Sequence, residues 1–321
     1  MSQAPGTGDS PRGFALALMS YLMWGFLPLY MKALAHIPTL EVLAHRVIWS
    51  VPVSLAILVW LGRTGDLMRA LRTPRMLAMA GLTAALVSVN WGVYVYAIQS
   101  GRALEAALGY YINPLFSIFL ARVLLGERLD ALQWAAVALA ALAVGVLTLD
   151  TGRLPVVALA LTLSWGFYAY FKKSLPIGPN QGFALEVLLL APFALAGAVW
   201  LALGGQAQFL NGPLSDDLLL LGCGIVTAVP LMVYANAAKG LRLGTIGIMQ
   251  YITPTMIFLT AVFWFGEPFG TVRAVTFPMI WAAMVLYSVA LIRKARSAQT
   301  APQAPEAAGA APQDRPVRPA G

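Results

Sequence analysis

Polar residues along this chain are sparse and clustered, and long runs of apolar residues lie between the clusters. Ten runs reach spanning length, near 14–34, 41–61, 76–98, 103–124, 131–149, 155–172, 182–203, 218–238, 244–265 and 272–292. Roughly 20 apolar residues rising 1.5 Å each cross a hydrocarbon core of about 30 Å. The sixth run is the least apolar because it carries Trp165, Tyr168 and Tyr170, yet residues 154–171 hold no charge and still reach across. The first run is longer than the apolar core of a signal peptide and no small-residue cleavage site follows it, so it reads as a retained span. The pattern predicts an all-α polytopic membrane protein of ten transmembrane helices.

The polar clusters orient those helices. With the N-terminus in the cytoplasm, the outer side keeps only Lys32, Arg46, Arg102, Arg153 and Arg273 of the 21 lysines and arginines. An excess of cations in cytoplasmic loops is the usual rule, so both termini are expected inside. Residues 1–12 read as a disordered leader. Residues 297–321, rich in Ala and Pro, lack an apolar period and read as a disordered tail.

The runs also repeat. Tyr111-Ile112-Asn113-Pro114 returns in the second half as Tyr251-Ile252-Thr253-Pro254, and at the same offset Gly126-Glu127 returns as Gly266-Glu267. Trp24-Gly25-Phe26 matches Trp165-Gly166-Phe167, and Pro52 matches Pro192. A nearly constant offset over five spans predicts two repeats, 13–150 and 151–296. Five is an odd number, so the second repeat enters the membrane inverted. That architecture can open to either side at similar energy. Pro114 and Pro254, each within an apolar run, are expected to break their helices.

Composition narrows the function. The chain is 60% hydrophobic and 11% charged, against about 25% charged in soluble domains. The net charge of +8 follows the topology and forms no nucleic-acid face. Cys223 is the single cysteine, and His36 and His45 are the only histidines. No phosphate-binding loop and no H-E-x-x-H pair is present, so neither a cofactor nor a metal is expected and an integral membrane enzyme is disfavoured.

Several stretches together carry a resemblance to a known family. They are Tyr21 to Gly25, Glu41 with His45-Arg46-Val47-Ile48-Trp49-Ser50, and Asn90-Trp91. Glu105-Ala106 with Leu108-Gly109-Tyr110, Ile112-Asn113-Pro114, Leu125-Gly126-Glu127-Arg128, and Gln250-Tyr251-Ile252 with Pro254-Thr255 complete the set. With these residues the chain resembles the drug/metabolite transporter superfamily in its EamA-type branch, and more narrowly the RarD family, a resemblance that covers roughly residues 12–295. It implies two five-helix repeats and permease activity in the bacterial plasma (inner) membrane, without naming a solute.

Candidate chemistry begins in the second run. Its charge-free part, 47–62, is too short to cross, so the helix draws in Glu41, His45 and Arg46. Glu41 and His45 share one face and could form a proton-responsive element, since His titrates near neutral pH; snorkelling to the interface is the alternative. Glu186 lies about one turn inside the opposite face. It could couple transport to protons or simply favour a helix N-terminus, and for Glu105 the helix-end reading is the better one. Trp24, Asn90, Tyr94, Tyr110, Tyr111, Asn113, Trp165, Tyr168, Tyr234, Gln250 and Tyr251 are the candidates to line a midplane cavity, offering apolar bodies with polar tips. Lys172 and Lys173 read as topology anchors. The expected activity is alternating-access transport of a small organic solute with proton linkage, against a non-transporting receptor or assembly subunit, or a channel. The expected partners are that solute and the lipid bilayer, with a homodimer left open.

Overall fold

The computed structural model describes residues 9–126 and 128–300, and among them every regular element is helical. Ser10 caps the first helix, its Oγ accepting from the Gly13 amide at 2.9 Å, with Pro11 in the first turn where no donor is missed. Helix α1 (Pro11–Ala33) is followed by α2 (Thr39–Trp60), a short amphipathic α3 (Thr64–Leu71), α4 (Pro74–Gln99), α5 (Ala103–Leu125) and α6 (Ala131–Thr151). A reciprocal capping box between Asp130 and Gln133 opens α6, and Gly152 closes it in the left-handed region at φ 62°. The second half holds α7 (Val156–Ser174), α8 (Pro179–Leu203), α9 (Leu214–Ala237), α10 (Leu243–Met249), α11 (Ile252–Leu259), a π-turn over Thr260–Trp264, and α12 (Thr271–Thr300).

Nine spans among the described residues are long and apolar enough to cross a membrane, α10, α11 and the π-turn together making one. Helix α7 is not among them, because its aromatic and lysine-bearing C-terminal half lowers its hydropathy, yet it packs into the bundle against α4 and α5. Large apolar side chains such as Trp60, Leu149, Phe193 and Leu203 face outward, as suits a chain whose solvent is lipid.

Several expected boundaries move. Pro11 and Arg12 belong to α1 and not to a leader, and α12 continues through Thr300, into the expected tail; residues 1–8, 301–321 and Glu127 lie outside the described residues. Pro114 does not break its helix. α5 runs through it unbroken, since one proline forfeits a single bond that packing can outweigh. In the second copy the break falls at Gln250 and Tyr251, between α10 and α11, so Pro254 sits in the first turn of α11, where a proline costs little.

Helix contacts come in matched pairs. α1 packs on α9 as α7 packs on α4, and α1 meets α11 as α7 meets α5. α2 packs against α8, and α6 against α12. At residue level the two Trp-Gly-Phe glycines receive crossed partners. A methyl group on Gly25 would fall 2.3 Å from the Met256 sulfur, and one on Gly166 would fall 2.4 Å from the Phe116 ring. Met256 and Phe116 occupy the same place relative to the repeated proline. Small residues at such crossings let helices approach without a hydrophobic driving force.

The repeated glycine-glutamate pair gains a role in the second half. Glu267 accepts from the Ala103 and Leu104 amides at 2.6 and 3.0 Å, satisfying donors that the first turn of α5 leaves unpaired.

Candidate functional site

The polar interior is built on α2 and α8, each of which enters the bundle carrying charge. On α2, Glu41 is 1% exposed and caps the α8–α9 loop. Its carboxylate accepts from the Gln208 amide at 2.9 and 3.0 Å and from the Phe209 amide at 2.9 Å. This folds the loop inward, so the Phe209 ring lies 4.5 Å from His45 and 6.3 Å from Trp49. His45 Nδ1 accepts from Trp49 Nε1 at 2.9 Å, one helical turn away. Beside them His36 Nε2 meets Asp216 Oδ2 at 2.6 Å. Together these contacts tie the α1–α2 and α8–α9 connections into one closed face.

Immediately after His45 on α2, the buried Arg46 guanidinium lies 4.9 Å over the Trp91 ring, and its Nε donates to Thr227 Oγ1 at 3.1 Å. Tyr94 lies one turn along α4 from Trp91, its ring 5.9 Å from that of Tyr110. Nη1 and the Tyr94 hydroxyl are buried without a hydrogen-bond partner. Next to them Asn90 joins three helices. Its Nδ2 donates to the Leu161 carbonyl at 3.2 Å and to Ser164 Oγ at 3.0 Å, and its Oδ1 accepts from the Tyr110 hydroxyl at 3.2 Å.

Near the opposite face α8 carries Glu186, fully buried. Lys172 Nζ lies 2.6 Å from its Oε1, and the Tyr168 hydroxyl donates to Oε2 at 3.3 Å. Lys172 is therefore half of a buried ion pair and not a surface anchor. Above this pair Gln181 donates to Asp66 at 3.4 Å. A hollow of about 380 Å³ opens there between Asp66, Arg69, Thr73, Met76 and residues 176–178.

The remaining candidates fall into separate groups. Trp24 and Tyr234 pack with Tyr21 at ring separations of 5.5–5.9 Å. Trp165 packs beside Tyr168 at 5.2 Å. Tyr111 donates to Thr255 at 2.9 Å where α5 crosses α11, and Tyr251 and Asn113 are buried nearby in sequence to that crossing. Gln250 bonds locally, to the Gly247 carbonyl. Glu105 is occupied by Arg102, whose Nε and Nη2 donate to its two carboxylate oxygens at 2.9 Å each. Among the described residues no cluster of His, Cys, Asp and Glu could hold a metal ion.

Known proteins share this chain's length and pattern. A model of the EamA-like transporter family matches residues 11–149. An uncharacterized transporter of Vibrio cholerae is 42% identical over 290 residues, covering 90% of this chain and 96% of the relative. Protein RarD of Salmonella typhi is 39% identical over 285 residues, covering 89% and 97%. The chain belongs to the EamA-type RarD family. A solved crystal structure at 18% identity superposes with a TM-score of 0.57 over 88% of this chain and 99% of its own, which bears on the fold alone.

For this RarD-family protein, sequence reasoning found the charges but not all of their partners. Phe209 and Thr227 carry no local signal, since an aromatic in a loop and a threonine in an apolar run are unremarkable. Lys172 could have been noticed, because in the repeat register it matches Lys32, whose ammonium lies 5.4 Å over the Phe265 ring.

Proposed function

We propose that this chain is a ten-span secondary transporter of small organic solutes that works by alternating access between two inverted five-helix repeats. Membership of a transporter family supports the general activity. One observation carries the mechanism: residues a repeat apart tie one face shut and line a hollow at the other. Glu41, His36 and Asp216 bind the first face. Their counterparts in the repeat register, Gln181, Pro176 and Met76, make or border the weaker seal at the second. Exchanging those two arrangements would move access from one side to the other. The excess of Arg63, Arg69, Arg72 and Arg75 supports a cytoplasmic position for the hollow-bearing face, with the bacterial inner membrane as the proposed location. The structure is then the inward-leaning member of the pair.

Proton linkage is assigned to Glu186 with Lys172, and to His45 in contact with the Glu41-bound loop. Reconstituted protein should show saturable, counterflow-competent solute flux driven by an imposed pH gradient. Flux that rises linearly with solute concentration would indicate a channel. A gradient response unchanged in the Glu41→Gln/His45→Gln/Glu186→Gln triple variant would remove the proton linkage.

A further inference from the structure

We propose that Arg46 is the anion-recognition residue of the transport pathway, and that the solute this protein takes is a small organic carboxylate. The inference rests on the transport reading and deepens it.

Arg46 and Glu186 are equivalent positions of the two repeats, each two turns after the start of its helix, α2 at Thr39 and α8 at Pro179. At 1.5 Å per residue both lie about 10 Å inside their helix ends. Both are buried, at 3% and 0% exposure. Their surroundings differ. Glu186 is neutralised by Lys172 at 2.6 Å. Arg46 has no carboxylate partner among the described residues. It rests on the face of Trp91, uses Nε on Thr227, and leaves Nη1 buried with nothing to donate to.

An uncompensated cation at that depth is costly, and intramembrane charges that persist mark solute or ion pathways. Arginine, unlike lysine, cannot relieve the cost by losing its proton. A second unused donor stands one helical turn from Trp91 on α4: the Tyr94 hydroxyl is also buried and unpartnered. A guanidinium nitrogen and a phenol, one from α2 and one from α4, are the unused donors here and suit an acceptor of single negative charge. One positive charge, with no second cation in the group, suits a carboxylate better than a phosphate dianion. Trp91, Tyr94 and Tyr110 supply flat apolar walls for the rest of such a molecule, and their exclusion of water strengthens the charge-assisted bond.

The test uses full-length protein in detergent and in liposomes. Probes are 3-phenylpropionate, benzoate and hexanoate, each with its amide and amine analogue, together with inorganic phosphate. At least one carboxylate should raise the melting temperature and compete in binding, while its amide and amine do not. Arg46→Gln should weaken that binding about tenfold to a hundredfold, the range for losing a hydrogen bond to a charged group. Arg46→Lys should recover part of it, and Tyr94→Phe should weaken it by a smaller factor. Equal protection by carboxylate and amide, preference for phosphate, or unchanged selectivity in folded Arg46→Gln would overturn the proposal. Should Arg46→Gln fail to fold, Tyr94→Phe and Arg46→Lys decide the same question. Carboxylate binding that depends on Arg46 without any flux would defeat the transport reading and leave the anion site standing. Flux of a neutral solute untouched by Arg46→Gln would do the reverse.

Discussion

His36 and Asp216 meet at 2.6 Å on one face of the protein, whereas Pro176 and Met76, one repeat away, border an open hollow on the other. Phe209 is folded inward against His45 at 4.5 Å, whereas the matching connection of the first half forms α3, whose Arg69 points to solvent and pairs with Asp66 at 2.8 Å. Glu41 receives three amide contacts, whereas Gln181 makes one long contact to Asp66. The backbone plan of the two halves is alike, and the chemistry at matched positions is not. Under the alternating-access proposal these two faces are the gates, and side-chain substitution sets how firmly each is tied.

That comparison can be broken most severely at the buried charges. Removing one partner of the Lys172–Glu186 pair leaves an unpaired buried charge, at a cost of about 3–5 kcal/mol. Lys172→Met or Glu186→Leu alone should therefore lower thermal stability sharply, and the double variant should restore most of the loss. Arg46→Met strands no carboxylate, so it should change stability by no more than about 1 kcal/mol, within the range of ordinary substitutions. Melting curves in detergent check all four variants. A large loss in Arg46→Met would make Arg46 a structural residue.

Helix approach gives the next effect. A methyl group on Gly224 would come within 2.3 Å of the Trp49 backbone, whereas the position one repeat earlier is already an alanine, Ala84. Gly224→Ala must push α2 and α9 apart, and should cost about 1–3 kcal/mol as overpacking while opening the Glu41 face to cysteine labelling at position 209. At the crossed glycines the halves should also differ. Gly166→Ala meets the stiff Phe116 ring and Gly25→Ala meets the flexible Met256, so the first should destabilise more. Phe116→Ala should rescue only the Gly166 variant.

A milder change tests the tied face itself. Glu41→Gln keeps an acceptor oxygen but loses the charge, weakening the loop contacts by about 1–2 kcal/mol, less than complete loss of bonds to a charged group. Labelling at 209 should rise while folding persists. The smallest effect concerns the other face. There Asp9 accepts from the Arg242 amide at 2.8 Å and the Thr245 hydroxyl at 2.7 Å, and the backbone bond foremost holds its carboxyl below the ordinary 3.8. A lowered acid pKa stabilises the fold above the unfolded value, and this contribution disappears as pH falls through the folded value. Asp9→Asn should therefore abolish a slight acid sensitivity below about pH 4 and change little at pH 7.

How much could be read in advance follows from where the information lies. Apolar run length and loop charge are local, so the helical membrane class was legible, and α2 does incorporate Glu41, His45 and Arg46 as its short charge-free segment required. The repeated Tyr-Ile-x-Pro stretch located the crossing of α5 and α11. It did not foretell that α5 passes Pro114 unbroken while the second copy breaks at Gln250 and Tyr251. A proline's effect depends on whether neighbouring packing offsets one lost hydrogen bond, and two near-identical motifs met different neighbours.

The sequence by itself determined that the chain is helical, lies in a bilayer, repeats at a nearly constant offset and carries charge inside α2 and α8, because each follows from composition and spacing along the chain. Only the tertiary structure decided that Glu186 has Lys172 for a partner, that Arg46 keeps a buried nitrogen unused, and that Phe209 closes over His45. Those outcomes depend on which side chains from distant segments meet in a medium without water, where a partner slightly out of place leaves a charge unpaired.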